Sequence, residues 1–335
     1  MEYFKYIQAM VFSFLLTLLV SPFVVCFMKK EKIKQTILHY VENHSGKAGT
    51  PTMGGIIFLI SISIISFIFF SGASRLAGIS LLVFLGYGLT GFLDDFIKFK
   101  FKRNLGLRAY QKILFQLAIA VVIAIYVYKN PMLGGKLLVP FVNIEIDIGF
   151  WIIPLVIVVF LACTNAVNLT DGLDGLAGST TLFYTVSIIA IMFVCMASRL
   201  DTSSSIYLME YENLLIMAFT VVGAMICFLA FNCFPAKIFM GDTGSLALGA
   251  FVACIAIFSK LTLLIPILGI MFVVSALSVI VQVAYYKLTK KRVFLMAPIH
   301  HHFEKKGVHE VRIVVVYSII TFMVGAICLV LEILL

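Results

Sequence analysis

The sequence predicts an all-α polytopic membrane protein, and three observations carry that reading. Hydrophobic residues make up 62% of the 335 and charged residues only 12%, against roughly 45–50% apolar and about 25% charged in soluble domains. The apolar residues gather into ten runs, most of them close to the ~20 residues a helix needs to cross a hydrocarbon layer about 30 Å thick. The charges sit in the connections between runs and favour one side. A soluble globule is excluded, and residues 1–335 read as a single integral membrane domain with ten transmembrane helices.

The runs follow in order. The first, 6–28, is too long for the apolar core of a cleaved signal, has only Lys5 before it and no small-residue cleavage site after it. The second, 52–71, begins at Thr52, placed to cap it, with Gly54-Gly55 permitting close backbone approach. The third, 76–94, ends on paired aspartates, and the fourth, 111–128, is short. Between it and the fifth, Val142-Asn143-Ile144-Glu145-Ile146-Asp147-Ile148 alternates strictly between apolar and polar, which predicts a short extracellular strand or β-hairpin. The fifth, 150–168, runs into an Asn/Asp-rich turn. The sixth, seventh, eighth and ninth cover 175–198, 213–231, 244–259 and 263–286, and the tenth covers 312–334.

With both termini outside (extracellular or periplasmic), 19 of the 25 Lys and Arg fall inside, and only Lys5, Arg75, Lys129, Lys136, Arg199 and Lys260 fall outside. The positive-inside rule favours this orientation. The formal charge of +9 then belongs to the cytoplasmic face, and nucleic-acid binding gains no support from it. Seven cysteines without a CxxC spacing read as small packing residues, neither disulfides nor a zinc site.

All the dense polar motifs fall on the cytoplasmic loops. The third run ends in Asp94-Asp95-Phe96-Ile97-Lys98. Two adjacent carboxylates at a membrane boundary need water, a cation or a shared proton, and Lys98 can pair with either. A DDxxD diphosphate motif is disfavoured because Lys98 stands in place of its third acid. In Asn165-Ala166-Val167-Asn168-Leu169-Thr170-Asp171-Gly172-Leu173-Asp174-Gly175 the polar residues recur every three positions, along one drifting helix face or in a chain opened by its glycines. Calcium-loop spacing is absent.

Pro235-Ala236-Lys237-Ile238-Phe239-Met240-Gly241-Asp242-Thr243-Gly244-Ser245 precedes the eighth run. Asp242 there is either an ordinary N-cap or, with the helix N-terminus and Lys237, part of a site for a magnesium-bound phosphate. Its Asp-Thr-Gly lacks the Gly-x-Gly-Asp of intramembrane aspartic proteases, since Phe239 stands at the first glycine. Pro298-Ile299-His300-His301-His302-Phe303-Glu304 offers several donors suited to an anionic or sugar-bearing substrate. His44, Lys47 and Gly49-Thr50-Pro51-Thr52-Met53-Gly54-Gly55 complete the set.

Oxygen ligands without cysteine favour Mg²⁺ or Mn²⁺ over zinc or copper. Magnesium, lysines and a helix N-terminus together point to phosphates, and no P-loop spacing is present. A lipid phosphate at the inner leaflet is an acceptor such a site can reach. An ion-coupled transporter would place its acids near the midplane, whereas these gather at the inner ends.

Lys47 with Gly49 through Gly55, Asp94 through Lys98, Asn165 through Gly175, Pro235 through Ser245, and Ala297 through Glu304 resemble the motifs of the bacterial phospho-N-acetylmuramoyl-pentapeptide-transferases, within the polyprenyl-phosphate N-acetylhexosamine-1-phosphate transferase superfamily. The resemblance spans essentially the whole chain. It implies a multi-pass protein of the bacterial inner (plasma) membrane with a cytoplasmic active site. The implied reaction uses Mg²⁺ and takes UDP-N-acetylmuramoyl-pentapeptide and undecaprenyl phosphate to lipid I and UMP, a step of cell-wall synthesis. The neighbouring alternative is transfer of N-acetylglucosamine-1-phosphate from UDP-N-acetylglucosamine. By the same resemblance Asp242 is the metal ligand, Asp94 the partner of the lipid phosphate, and Asp95 a support for the metal and diphosphate. Asn232, Asp174 and Phe239 match the uridine end, and Lys47, Thr52, Asn168 and Asp171 the nucleotide pocket. His300, His301 and His302 match the sugar, diphosphate or peptide side, with Lys98 and Lys237 as further substrate contacts. The sequence leaves room for a homodimer.

Overall fold

A computed structural model describes residues 2–31, 49–72, 74–101, 106–142, 144–198 and 205–334. Of the residues singled out above, Lys47, His44, Asn143 and Arg199 lie outside them. The helices are α1 (Glu2–Lys30), α2 (Gly55–Phe69), α3 (Arg75–Lys100), α4 (Ala109–Lys129), α5 (Ile152–Thr170), α6 (Leu176–Ser198), α7 (Ser205–Asn232), α8 (Gly241–Phe258), α9 (Ile265–Leu268), α10 (Ile270–Thr289), α11 (Ile299–Lys305) and α12 (Glu310–Leu334). Strands β1 (Lys136–Val139) and β2 (Ile144–Asp147) lie between α4 and α5.

Among the described residues, nine helices are long and apolar enough to cross a membrane. The second expected run appears as the 15-residue α2, about 22 Å long at 1.5 Å per residue. It is short because Pro51 to Gly54 are drawn into another connection. The Pro51 carbonyl accepts the Phe239 amide at 2.8 Å, and the Gly54 and Gly55 amides donate to the Phe239 and Met240 carbonyls at 2.8 and 2.9 Å. The expected ninth run is divided at Gly269 into α9 and α10. Helix α7 starts well before 213 because two polar side chains in its first turns are used by neighbours. Glu210, buried, accepts the backbone amides of Arg75 and Leu76 at 2.7 and 2.9 Å and the Ser74 hydroxyl at 2.9 Å. Asn213 satisfies both backbone groups of Ser71. A carboxylate from α7 thus closes the N-terminus of α3, whose first amides have no partner within the helix.

Helix α8 is the axis of the bundle. Every residue from Thr243 to Phe258 is buried, and such an all-round apolar helix belongs inside other helices. Small residues let those helices approach. A methyl group on Gly91 of α3 would lie 2.1 Å from the Asp242 carbonyl oxygen, one on Gly249 would lie 2.5 Å from Cα of Thr164 in α5, and one on Gly55 would lie 2.3 Å from Cα of Gly244. Backbone contact of this kind is how helices pack where lipid removes any hydrophobic drive between them.

The expected strand appears as a hairpin, with Lys136 opposite Asp147 and Leu138 opposite Glu145. Lys260, just past the end of α8, holds Glu145 at 2.9 Å, and Lys136 adds a contact at 3.6 Å. Lys260 and then Lys136 hold the Glu145 carboxyl below its ordinary range. The hairpin therefore sits at one end of α8 and Asp242 at the other, roughly 27 Å away for an 18-residue helix.

These contacts make a stability prediction. Gly91→Val should lower the melting temperature of the detergent-purified protein by an amount corresponding to at least about 1–3 kcal/mol of overpacking. Gly78→Ala, on the same helix with open space around it, should leave the melting temperature unchanged or slightly higher.

Candidate active site

The polar motifs meet at the α8 end opposite the hairpin. Helix α3 continues past its aspartates, so Asp94, Asp95 and Lys98 lie on its last turns, with both aspartates buried. Gly241 adopts φ +74, a left-handed conformation that glycine reaches without strain, and this turns the chain into α8. Asp95 then accepts the Thr243 amide at 2.9 Å, the Thr243 hydroxyl at 2.7 Å and the Asp242 amide at 3.3 Å. Asp95 is the cap of α8, supplied from α3.

Asp242 extends from that first turn into a cage of donors. One carboxylate oxygen accepts the Asn168 amide group at 2.7 Å, and the other takes Lys98 at 2.9 Å and Lys112 at 3.0 Å. Asn168 also donates to Ser245 at 2.8 Å. Asp94 pairs with Lys98 at 2.6 Å and accepts the Leu107 amide at 2.7 Å. Asp94, Asp95 and Asp242 each present an oxygen within 4.8 Å of the others. An all-oxygen set of three carboxylates fits a hard divalent cation. Asp95 is committed to α8 amides that have no other partner, whereas Asp242 and Asp94 are held largely by the Lys98 and Lys112 side chains, which can move aside, so Asp242 with Asp94 beside it is the pair that would hold an ion.

The connection after α5 borders this cluster. Burial, and then the charges of Asp242, Asp95 and Asp174, push the Asp171 carboxyl up to about 8. Asp174 accepts the Ala236 amide at 3.0 Å, which ties this connection to the one after α7. There the buried Asn232 donates to the Ile238 carbonyl at 2.9 Å, exposed Lys237 lies 5.8 Å from the Phe231 ring centroid, and Phe239 holds Pro51 and Gly54 through its backbone.

Helix α11 is seated on Gly172, where a methyl group would come within 2.3 Å of His300 Nε2 and 2.9 Å of His301 Nε2. The three histidines are not equivalent. His300 is fully buried, neither ring nitrogen has a hydrogen-bond partner among the described residues, and burial followed by His301 lowers its pKa to about 3. His301 contacts Glu304 at 2.9 Å. His302 accepts the Leu295 amide at 3.1 Å, so it braces its own loop.

The structure thus brings Asp94, Asp95, Lys98, Asn168 and Asp242 into direct contact, with Asp171 coupled through charge and His300 and His301 adjoining at Gly172. Asn232, Asp174, Lys237 and Phe239 occupy the neighbouring connection. Thr52 is a correction. Gly54 holds the cap position of α2 and no side chain caps it, so Thr52 instead lies against Gly241, its hydroxyl 3.0 Å from where a methyl group there would stand. Sequence reasoning counted Lys112 only as an inner charge and passed over Thr243. Thr243 stood only as the middle of Asp-Thr-Gly, and Lys112 belongs to no recognisable spacing, although it lies at the start of the fourth run.

The chain has relatives among known proteins. Residues 76–260 match the glycosyl transferase family 4 model, and residues 47–59 match phospho-N-acetylmuramoyl-pentapeptide-transferase signature 1. The phospho-N-acetylmuramoyl-pentapeptide-transferase of Clostridium kluyveri is 44% identical over 319 residues, 95% of this chain and 96% of that one. Those of Clostridium perfringens and Clostridioides difficile are 43% identical (95% of each chain) and 41% identical (92% of each). The chain belongs to the phospho-N-acetylmuramoyl-pentapeptide-transferase family.

Two predictions separate the roles in the cluster. Asp95→Ala strips the cap from a buried helix end and leaves orphaned amides, a loss of about 1–3 kcal/mol, so its melting temperature should fall further than that of Asp242→Asn. For His300, the unfolded chain takes up a proton near pH 6.5 and the folded one only near 3. The unfolded state therefore binds more protons between these values, and stability should decline as pH falls below about 6.5. His300→Phe should flatten that decline in melting curves recorded across this range.

Proposed function

We propose that this protein transfers phospho-N-acetylmuramoyl-pentapeptide from UDP-N-acetylmuramoyl-pentapeptide to undecaprenyl phosphate, releasing UMP and forming lipid I. The observation that carries the reading is the cluster of three carboxylates and two lysines at the N-terminus of the buried axis helix. Such a site suits two phosphate-bearing substrates, one of them anchored in lipid. We place it on the cytoplasmic face of the bacterial inner membrane, with α2 as the tenth crossing element and both termini outside. The described basic residues around it, including Lys29, Lys30, Lys100, Lys287, Lys290, Lys291 and Arg292, favour that side.

The chemical difficulty is the approach of two anions. Magnesium held at Asp242 supplies charge neutralisation when bound. Lys98 and Lys112 bring two further cations to the same carboxylate, and Asn168 fixes its rotation. The Asp242 and Thr243 amides of the first turn of α8 are already given to Asp95, so the cations facing the substrates are side chains. In the direct route an oxygen of the lipid phosphate attacks the β-phosphorus of the nucleotide. The bond from that phosphorus to the bridging oxygen breaks, and UMP departs with the electron pair. The lipid phosphate is already ionised near neutral pH, so Asp94 serves alignment more than proton removal. Gly172 admits the buried His300, which seats α11 beside the Asp171 connection and leaves the partly exposed His301 as the histidine that can meet the sugar and diphosphate.

Purified protein with undecaprenyl phosphate and Mg²⁺ should release UMP from the pentapeptide nucleotide and none from UDP-N-acetylglucosamine. The reverse pattern would assign the chain to the neighbouring activity. Asp242→Asn should lower turnover by at least about a hundredfold, and without acceptor no phospho-sugar should accumulate on Asp94.

A further inference from the structure

One to two helical turns beneath the acid cluster lies a second polar group that substrate cannot touch. Gln116 of α4 is fully buried. Its side-chain oxygen accepts the amide of Asn165 in α5 at 2.9 Å, and its backbone carbonyl accepts the Tyr87 hydroxyl from α3 at 2.9 Å. The Tyr87 ring in turn stacks on Phe160 of α5, with centroids 5.9 Å apart and 13° between planes. Three helices are therefore joined at one residue.

Each of those helices delivers a group to Asp242 from the same face. Lys112 precedes Gln116 by four residues, Asn168 follows Asn165 by three, and Asp94 follows Tyr87 by seven. These spacings stack side chains on one face of a helix. The three arms that reach the α8 carboxylate region, Lys112, Asn168 and the end of α3, rise from a common base. The base matters most for α4, which presents much of its surface outward and buries only Gln116, Ala120, Ile123, Ala124 and Val127. A shift of α4 by a fraction of a turn would take Lys112 off Asp242, although the helix could remain inserted. Buried polar links of this kind have only modest energies in membranes, which suits them to setting register more than to holding the fold.

We propose that Gln116, with Asn165 and Tyr87, is a positioning unit that sets the register of α3, α4 and α5 so that Lys112 and Asn168 meet Asp242 together. This rests on Asp242 being the reacting centre, as read above. The test is Gln116→Met, which keeps length and volume and removes the amide, and Tyr87→Phe, which keeps the ring stack and removes the hydroxyl. Both are assayed as full-length protein for UMP release, with melting temperature measured in parallel. The expected result for Gln116→Met is a fall in kcat of about ten- to a hundredfold with KM for the nucleotide nearly unchanged and little loss of melting temperature. Tyr87→Phe should show a smaller loss of the same kind. Combining Gln116→Met with Lys112→Ala should cost far less than the product of the single losses, because both act through one contact. Wild-type kcat in Gln116→Met would overturn the proposal. So would fully multiplicative losses in the double variant, or a kcat loss that only tracks a lowered melting temperature. Asp242→Asn tests the underlying assignment separately, since its activity would persist if that assignment were wrong whatever the Gln116 variants did.

Discussion

Asp95 takes the amide hydrogens of Asp242 and Thr243, which no carbonyl within α8 can reach, and takes the Thr243 hydroxyl with them. The rest of the structure depends on this closure. Helix α8 is buried along its length, so its first turn has little recourse to water, and without a partner those amides would be among the costliest groups in the molecule. Placing the cap on α3 couples α3 to α8 at one depth, and the glycine contact at Gly91 lets the two backbones come close enough for it. Asp242 is held at a fixed depth and heading as a result, and Lys98, Lys112 and Asn168 need only converge on it.

The same device recurs at the other end of α3. Glu210 crosses from α7 to close the amides of Arg75 and Leu76, as Asp95 crosses from α3 to close α8. In a bundle whose helices end against each other and not in solvent, carboxylates are structural fasteners as well as chemical groups. Each is affordable where several donors surround it. This explains why two adjacent aspartates need not share a task. Asp94 faces Lys98 and the Leu107 amide, and Asp95 faces a helix terminus.

Much of this was legible in the sequence. The apolar runs, the hairpin in the long connection between α4 and α5, and the motifs that converge on one end all follow from periodicity and charge placement, which are local properties. What could not be read locally is who caps whom. Thr52 looked like the cap of α2, but the backbone of Pro51 to Gly55 is paired with Phe239 and Met240, which shortens the helix and moves its start. Glu210 fell outside the expected seventh run and Asn213 only at its edge, because acids and amides are rare inside membrane helices, and the partners on α3 and at Ser71 explain why the helix takes in both. Lys112 carried no motif because its meaning comes from an α8 carboxylate 130 residues away. The division of labour among the histidines likewise depends on Gly172, from a different part of the chain.

The pairing of Lys98 with both Asp94 and Asp242 has a consequence for biogenesis. Helix α3 leaves the ribosome long before α8 is made, carrying two carboxylates into the membrane boundary with no axis helix to engage them. Lys98, one turn further along the same helix, is the counter-charge that travels with them. It offsets one of the two negative charges within α3 itself, and in the finished bundle it keeps Asp94 while reaching Asp242 as well.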